Sequence, residues 1–118
     1  MLWICLDQKL TDGNPVREGT EGGNISVECS FKSSVRRKVF CRNDCKDGDI
    51  LCKTTDVSAQ CGRYSIELRN TVLYVSITNL RKSDSGSYKC WLDRYWAPDS
   101  SETFELRVKE GEFLLLHL

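Results

Sequence analysis

Seven cysteines lie in a chain of 118 residues, and no other residue type here offers as much chemistry. A thiolate can attack a substrate, hold zinc or oxidise to a disulfide. Zinc wants Cys-x-x-Cys pairs or Cys/His clusters. The sequence has no Cys-x-x-Cys, and its one histidine is His117, at the end. A single terminal histidine also removes Ser-His-Asp and Cys-His catalysis. No glycine-rich phosphate loop follows a strand pattern, and the carboxylates are scattered over outward-facing positions. The residues therefore point away from an enzyme, a metal site or a cofactor. Disulfides remain, and so heavy a cysteine load places the chain in an oxidising, secretory compartment.

The elements that must hold those cysteines read as β-strands. Asn24 to Phe31 alternates, with Ile25, Val27, Cys29 and Phe31 on one face. In Thr71–Ile77 the inward set is Leu73, Val75 and Ile77; in Thr103–Val108 it is Phe104, Leu106 and Val108. Such alternation marks antiparallel sheets with one wet face. Turn residues separate the runs at Asp12-Gly13-Asn14-Pro15, Glu21-Gly22-Gly23 and Asp47-Gly48-Asp49. The length suits one domain, and the spacing fits a two-sheet sandwich of seven to nine strands. Residues 1–18 read as an N-terminal segment with the first strand, 19–109 as the domain, and 110–118 as a stub. The apolar runs Leu2–Leu6 and Phe113–Leu116 are each too short for a signal or a membrane span. The chain thus reads as an excised ectodomain of a membrane-attached protein. Its 17 basic and 17 acidic residues argue against nucleic acid as a partner.

Asp84-Ser85-Gly86-Ser87-Tyr88-Lys89-Cys90 places Tyr88 two residues before Cys90. That spacing resembles the tyrosine corner of immunoglobulin domains, and it implies an inter-sheet disulfide from Cys90 to Cys29. Closing so long a loop is worth about 4 kcal/mol in the chain-entropy model. Phe40 stands where such domains place a tryptophan, so compensating packing is expected beside it. Arg63, ahead of a strand, and Asp84 occupy places at which variable-type domains close the sandwich with a salt bridge.

The fuller set is Cys29, Val39-Phe40-Cys41, Ile50-Leu51-Cys52-Lys53-Thr54-Thr55, Gly62-Arg63 and Asp84 through Trp91. It resembles single variable-type domains of leukocyte receptors over about Gly19 to Val108. These include the polymeric immunoglobulin receptor domains, leukocyte mono-Ig-like receptors, natural-cytotoxicity triggering receptors and novel immunoglobulin-like transcripts. The resemblance implies an all-β V-type Greek-key sandwich with a second disulfide joining strand C to C′. Cys41, next to the inward Phe40, faces away from the core and needs a partner there. Three pairings are open: Cys41–Cys45 with Cys52–Cys61, Cys41–Cys52 with Cys45–Cys61, and Cys41–Cys61 with Cys45–Cys52. The first is preferred, because Cys45 falls in the hairpin tip. Cys5 is left over, for an interchain disulfide, for a cysteine outside this sequence, or as a leader remnant.

Ligand contacts are expected in end loops. Lys32–Lys38 carries four basic residues, among them Arg36 and Arg37, suited to an anionic protein, lipid or glycan surface. Leu92–Asp99 carries Arg94, Tyr95 and Trp96, residue types that dominate interface hot spots. Asn24-Ile25-Ser26 is a glycosylation acceptor facing outward. The resemblance implies the ligand-recognition domain of a cell-surface immune receptor. A homophilic adhesion module and a soluble immunoglobulin- or lipid-binding fragment are the alternatives.

Overall fold

A computed structural model of the chain describes residues 14–30, 35–94 and 99–111. Among these residues nine strands run in chain order: β1 Val16–Thr20, β2 Ile25–Ser30, β3 Val35–Arg42, β4 Ile50–Thr54, β5 Ser58–Cys61, β6 Tyr64–Arg69, β7 Val72–Ile77, β8 Gly86–Arg94 and β9 Ser100–Lys109. The front sheet has the order β1-β9-β8-β3-β4, and the back sheet β2-β7-β6-β5. β1 runs parallel to β9; every other pairing is antiparallel. One 3-10 turn, Lys82–Asp84, leads into β8.

The alternating sequences bury one face each. Val27 and Cys29 from β2, Leu73, Val75 and Ile77 from β7, and Phe104, Leu106 and Val108 from β9 meet Phe40, Tyr88, Cys90 and Leu92 between the sheets. Phe40 is fully buried. The volume that a tryptophan would fill is taken by an aromatic cluster. Its ring lies 5.7 Å from Tyr88 and 6.3 Å from both Phe104 and Tyr64, and Tyr88 stacks on Phe104 at 5.5 Å. Aromatic pairs at these spacings add about 1 kcal/mol each beyond burial.

Among the described residues there are three disulfides. Cys29–Cys90 crosses between the sheets from β2 to β8 with Cα atoms 6.5 Å apart. Cys41–Cys45 closes the base of the β3–β4 hairpin, and Cys52–Cys61 joins β4 to β5. Because β4 edges the front sheet and β5 edges the back sheet, Cys52–Cys61 is a second covalent link across the sandwich. The preferred of the three pairings is the one the fold contains. Cys5 lies outside the described residues.

Two sequence boundaries need correction. Lys32–Lys38 reads as a loop, but β3 already begins at Val35. Leu92–Asp99 reads as a loop, but Leu92–Arg94 belong to β8. The two strands continue as a ribbon, with Val35 opposite Arg94 and Arg37 opposite Asp93, and a register shift at Arg36. Past the end of the core a strand can be charged on both faces, so apolar alternation fades before the backbone ladder does.

Candidate functional site

The outer face of the front sheet is built on the residues that alternate away from the core. From β3 these are Arg37, Val39 and Cys41, and opposite them on β8 stand Asp93, Trp91 and Lys89. Cys41 is fully buried although it faces outward, because the hairpin tip folds over it. That tip is held by its own hydrogen bonds. The Arg42 N–H donates to the Asp49 carbonyl at 2.9 Å, Cys45 N–H to Arg42 at 3.1 Å, and Asp49 N–H to Lys46 at 2.8 Å. Asn43 and Cys45 take positive φ, 50° and 60°. Asparagine tolerates that region, whereas the Cys45 backbone is held there by the bridge to Cys41 and the turn around it.

Between this tip and the base of the β8–β9 connection runs a groove of about 290 Å³, lined by Asp44, Lys89, Trp91, Asp99, Ser100 and Ser101. Its floor is Trp91, whose indole N–H donates to Asp99 Oδ2 at 3.2 Å. A flat aromatic flanked by two carboxylates, one ammonium and two hydroxyls can make both stacking and polar contacts. Trp91, Asp44 and Asp99 were not among the ligand-contact residues expected from the sequence. The signal was present in Trp91, an outward tryptophan directly after the core cysteine Cys90.

Arg36 and Arg37 converge on one carboxylate. Arg36 forms an ion pair with Asp93, and Arg37 Nη2 lies 3.9 Å from the same oxygen. Both arginines keep about half their side-chain surface in water (54% and 51%), so they remain available to a partner. Lys38, from the same basic run, is different: it is 2% exposed, on the inner side of β3. Burial lowers its pKa, partly opposed by the charge of Asp56. It therefore adds nothing to a basic ligand surface. Arg94 lies on β8. Tyr95 and Trp96 lie outside the described residues.

At the opposite end of the domain, Arg63 grips Asp84 with both nitrogens, Nη1 to Oδ2 at 2.9 Å and Nη2 to Oδ1 at 3.0 Å. The Arg81 backbone N–H adds a third bond at 2.8 Å. Burial pushes the Asp84 carboxyl up. The Arg63 hydrogen bonds, the Arg81 N–H and the charges of Arg63 and Arg42 outweigh it and hold the carboxyl below its ordinary range. The Tyr88 hydroxyl donates to the Asp84 carbonyl, and burial pushes its pKa to about 12 against the pull of Arg42. Arg42, which the sequence did not flag, lies 5.1 Å over the Tyr88 ring and donates to the Ser85 carbonyl at 2.9 Å. Gly86 makes room for it: at φ 147°, a Cβ there would stand 2.6 Å from Arg42 Nη2.

With the sandwich, the corner and the cross-sheet disulfide in place, comparison with known families is decisive. Residues 12–109 match the immunoglobulin V-set domain. The chain belongs to the immunoglobulin V-set family. Among curated relatives, mouse (Mus musculus) CMRF35-like molecule 9 is 32% identical over 116 residues, covering 86% of this chain and 34% of that protein. Human (Homo sapiens) CMRF35-like molecule 2 is 29% identical over 108 residues, 85% of this chain and 53% of that protein. The chain thus spans about a third to a half of the curated relatives' length. Among solved structures, the NK cell receptor Nkp44, described as a triggering partner in natural cytotoxicity, superposes with a TM-score of 0.69 at 23% identity. That match covers 81% of this chain and 98% of that one. The ZIG-8 IG1 homodimer superposes at 0.66 with 15% identity, covering 83% and 81%. Both likenesses are of fold.

Proposed function

We propose that this V-set domain is the extracellular recognition module of a cell-surface immune receptor, and that its front sheet and adjoining loop end contact the ligand. The observation that carries the reading is the groove over Trp91, shaped by the Cys41–Cys45 hairpin on one side and Asp99 to Ser101 on the other. A disulfide placed on an outer face contributes little to a hydrophobic core; here it fixes the wall of a depression that is open to solvent. The arginine pair Arg36 and Arg37 extends the same face toward the loop end. Similarity to CMRF35-like molecules over most of the chain favours a leukocyte receptor over a free-standing soluble fragment.

The test is binding of the folded, oxidised domain to a panel of cells, lipid vesicles and glycans. Trp91→Ala, Asp44→Ala, Arg36→Ala with Arg37→Ala, and Trp96→Ala are compared with the parent. Loss of binding with an unchanged melting temperature supports the front-sheet reading. Full binding by all four variants would place the ligand elsewhere and sink it. A concentration-dependent dimer that is broken by the same variants would favour the homophilic alternative.

A further inference from the structure

The opposite face of the sandwich carries the one Asn-x-Ser/Thr motif not blocked by proline, Asn24-Ile25-Ser26, and the recognition reading leaves it unused. Asn24 is exposed and immediately precedes β2. Its side-chain carbonyl is occupied: Oδ1 accepts the Asn79 backbone N–H at 3.1 Å, which turns Nδ2 outward. By strand alternation Asn24 leaves the sheet on the same side as Ser26 and Glu28. That side is the outer face of the back sheet, where Ser26, Ser76, Ser65 and Gln60 stand in one row across four strands. Ser76 donates to Ser26 at 3.1 Å. The next outward row is Glu28, Tyr74, Glu67 and Ser58, with Arg69 lying 4.7 Å over the Tyr74 ring. The first row is three serines and a glutamine, and the second brings two carboxylates, Glu28 and Glu67, on either side of Tyr74.

We propose that Asn24 carries an N-linked glycan and that this glycan covers the outer face of the back sheet, leaving the front sheet as the face open to protein partners. The attachment transfers an oligosaccharide from a lipid-pyrophosphate donor to Asn24. The sugar's anomeric C–O bond to pyrophosphate breaks, a C–N bond to Nδ2 forms, Nδ2 gives up one proton, and the lipid pyrophosphate leaves. The serine row supplies donors and acceptors that a sugar's hydroxyls can exchange for water at little net cost. The proposal rests on the extracellular routing argued above, since the donor is met only in the secretory pathway.

The experiment uses the chain secreted from a glycosylating mammalian host. Peptide N-glycosidase should increase its electrophoretic mobility. Asn24→Gln and Ser26→Ala should abolish that shift, and Ser26→Thr should keep it. Ser26→Ala leaves the Asn24–Asn79 contact intact and gives up only the bond from Ser76, so secretion of that variant folded and oxidised separates loss of the shift from misfolding. Coverage is read by carbodiimide labelling of carboxylates in glycosylated and enzymatically deglycosylated protein. Glu28 and Glu67 should label less when the glycan is present, and Glu102 on β9 should label equally. A secreted, oxidised chain with no mobility shift overturns the modification while leaving the extracellular reading standing. A shift with equal labelling of Glu28 and Glu67 overturns the coverage of the back sheet.

Discussion

Asp84 does three things within one residue: its carboxylate neutralises Arg63 and caps the backbone at Arg81, and its backbone carbonyl receives the Tyr88 hydroxyl. At 3% exposure it has no water to fall back on. Asp84→Ala should cost about 2–4 kcal/mol, because it strands a partly buried guanidinium and a backbone donor. The measurement is the urea midpoint at constant slope, and a change below about 0.5 kcal/mol would contradict the assignment. The carboxyl is held below its ordinary pKa in the fold. Its stabilisation is therefore present above about pH 4 and lost as pH falls through the depressed folded value. In the alanine variant that acid-side loss should be smaller. Tyr88 works in the other direction. Its folded pKa of about 12 exceeds the ordinary 10.0, so its contribution is complete below pH 10.0 and disappears as pH rises toward 12. Alkaline titration of phenolate absorbance should show a late component from Tyr88. Tyr88→Phe should remove that component and weaken the pH dependence of stability in that window. A parent protein whose tyrosines all ionise at the ordinary pKa while folded would refute this.

The strands show which signals survive folding and which are lost. Where a strand crosses the core, alternation was legible: β7 and β9 bury the sets read from the sequence, and β2 buries Val27 and Cys29, with Ile25 partly buried and Phe31 outside the described residues. Cys29, Phe40, Tyr88 and Cys90 were legible too, since core positions are fixed by size and spacing. The charged ends of β3 and β8 were not, because backbone pairing there has no apolar face to announce it. Lys38 was missed for a related reason. Its place on the inner side follows from register, not from its own polarity. The groove joins Asp44 to Asp99 through the hairpin tip and the β8–β9 base, a proximity that no local pattern records. At this scale the three disulfides should differ. Loops closed across 61, 9 and 4 positions are worth about 4, 3 and 2 kcal/mol in the chain-entropy model. Alanine replacement of Cys41 and Cys45 together should therefore cost the least stability and yet alter binding at the groove. Replacing Cys52 and Cys61 should cost more and leave the groove residues in place. Calorimetry with the binding panel separates the two, and a reversed order would refute the division of roles.

Taken whole, the molecule is electrically even, with 17 charges of each sign, but unequal in its two faces. The front presents a tryptophan-floored depression and an arginine pair, the back a shallow field of hydroxyls. The only parallel pairing lies between the first and last described strands, with Val16 opposite Glu105 and Thr20 opposite Lys109. Tension applied ahead of β1 and beyond β9 draws these strands past each other lengthwise. Five rungs then resist together, whereas an antiparallel hairpin pulled at its open end gives way one rung at a time. Once the clasp slips, the Cys29–Cys90 bond keeps the 61-position stretch inside it from lengthening. Reduction should add about 200 Å to the length released in a single-molecule pull. A domain of this build, pulled from its two ends, would thus yield abruptly, by a short step, and then hold.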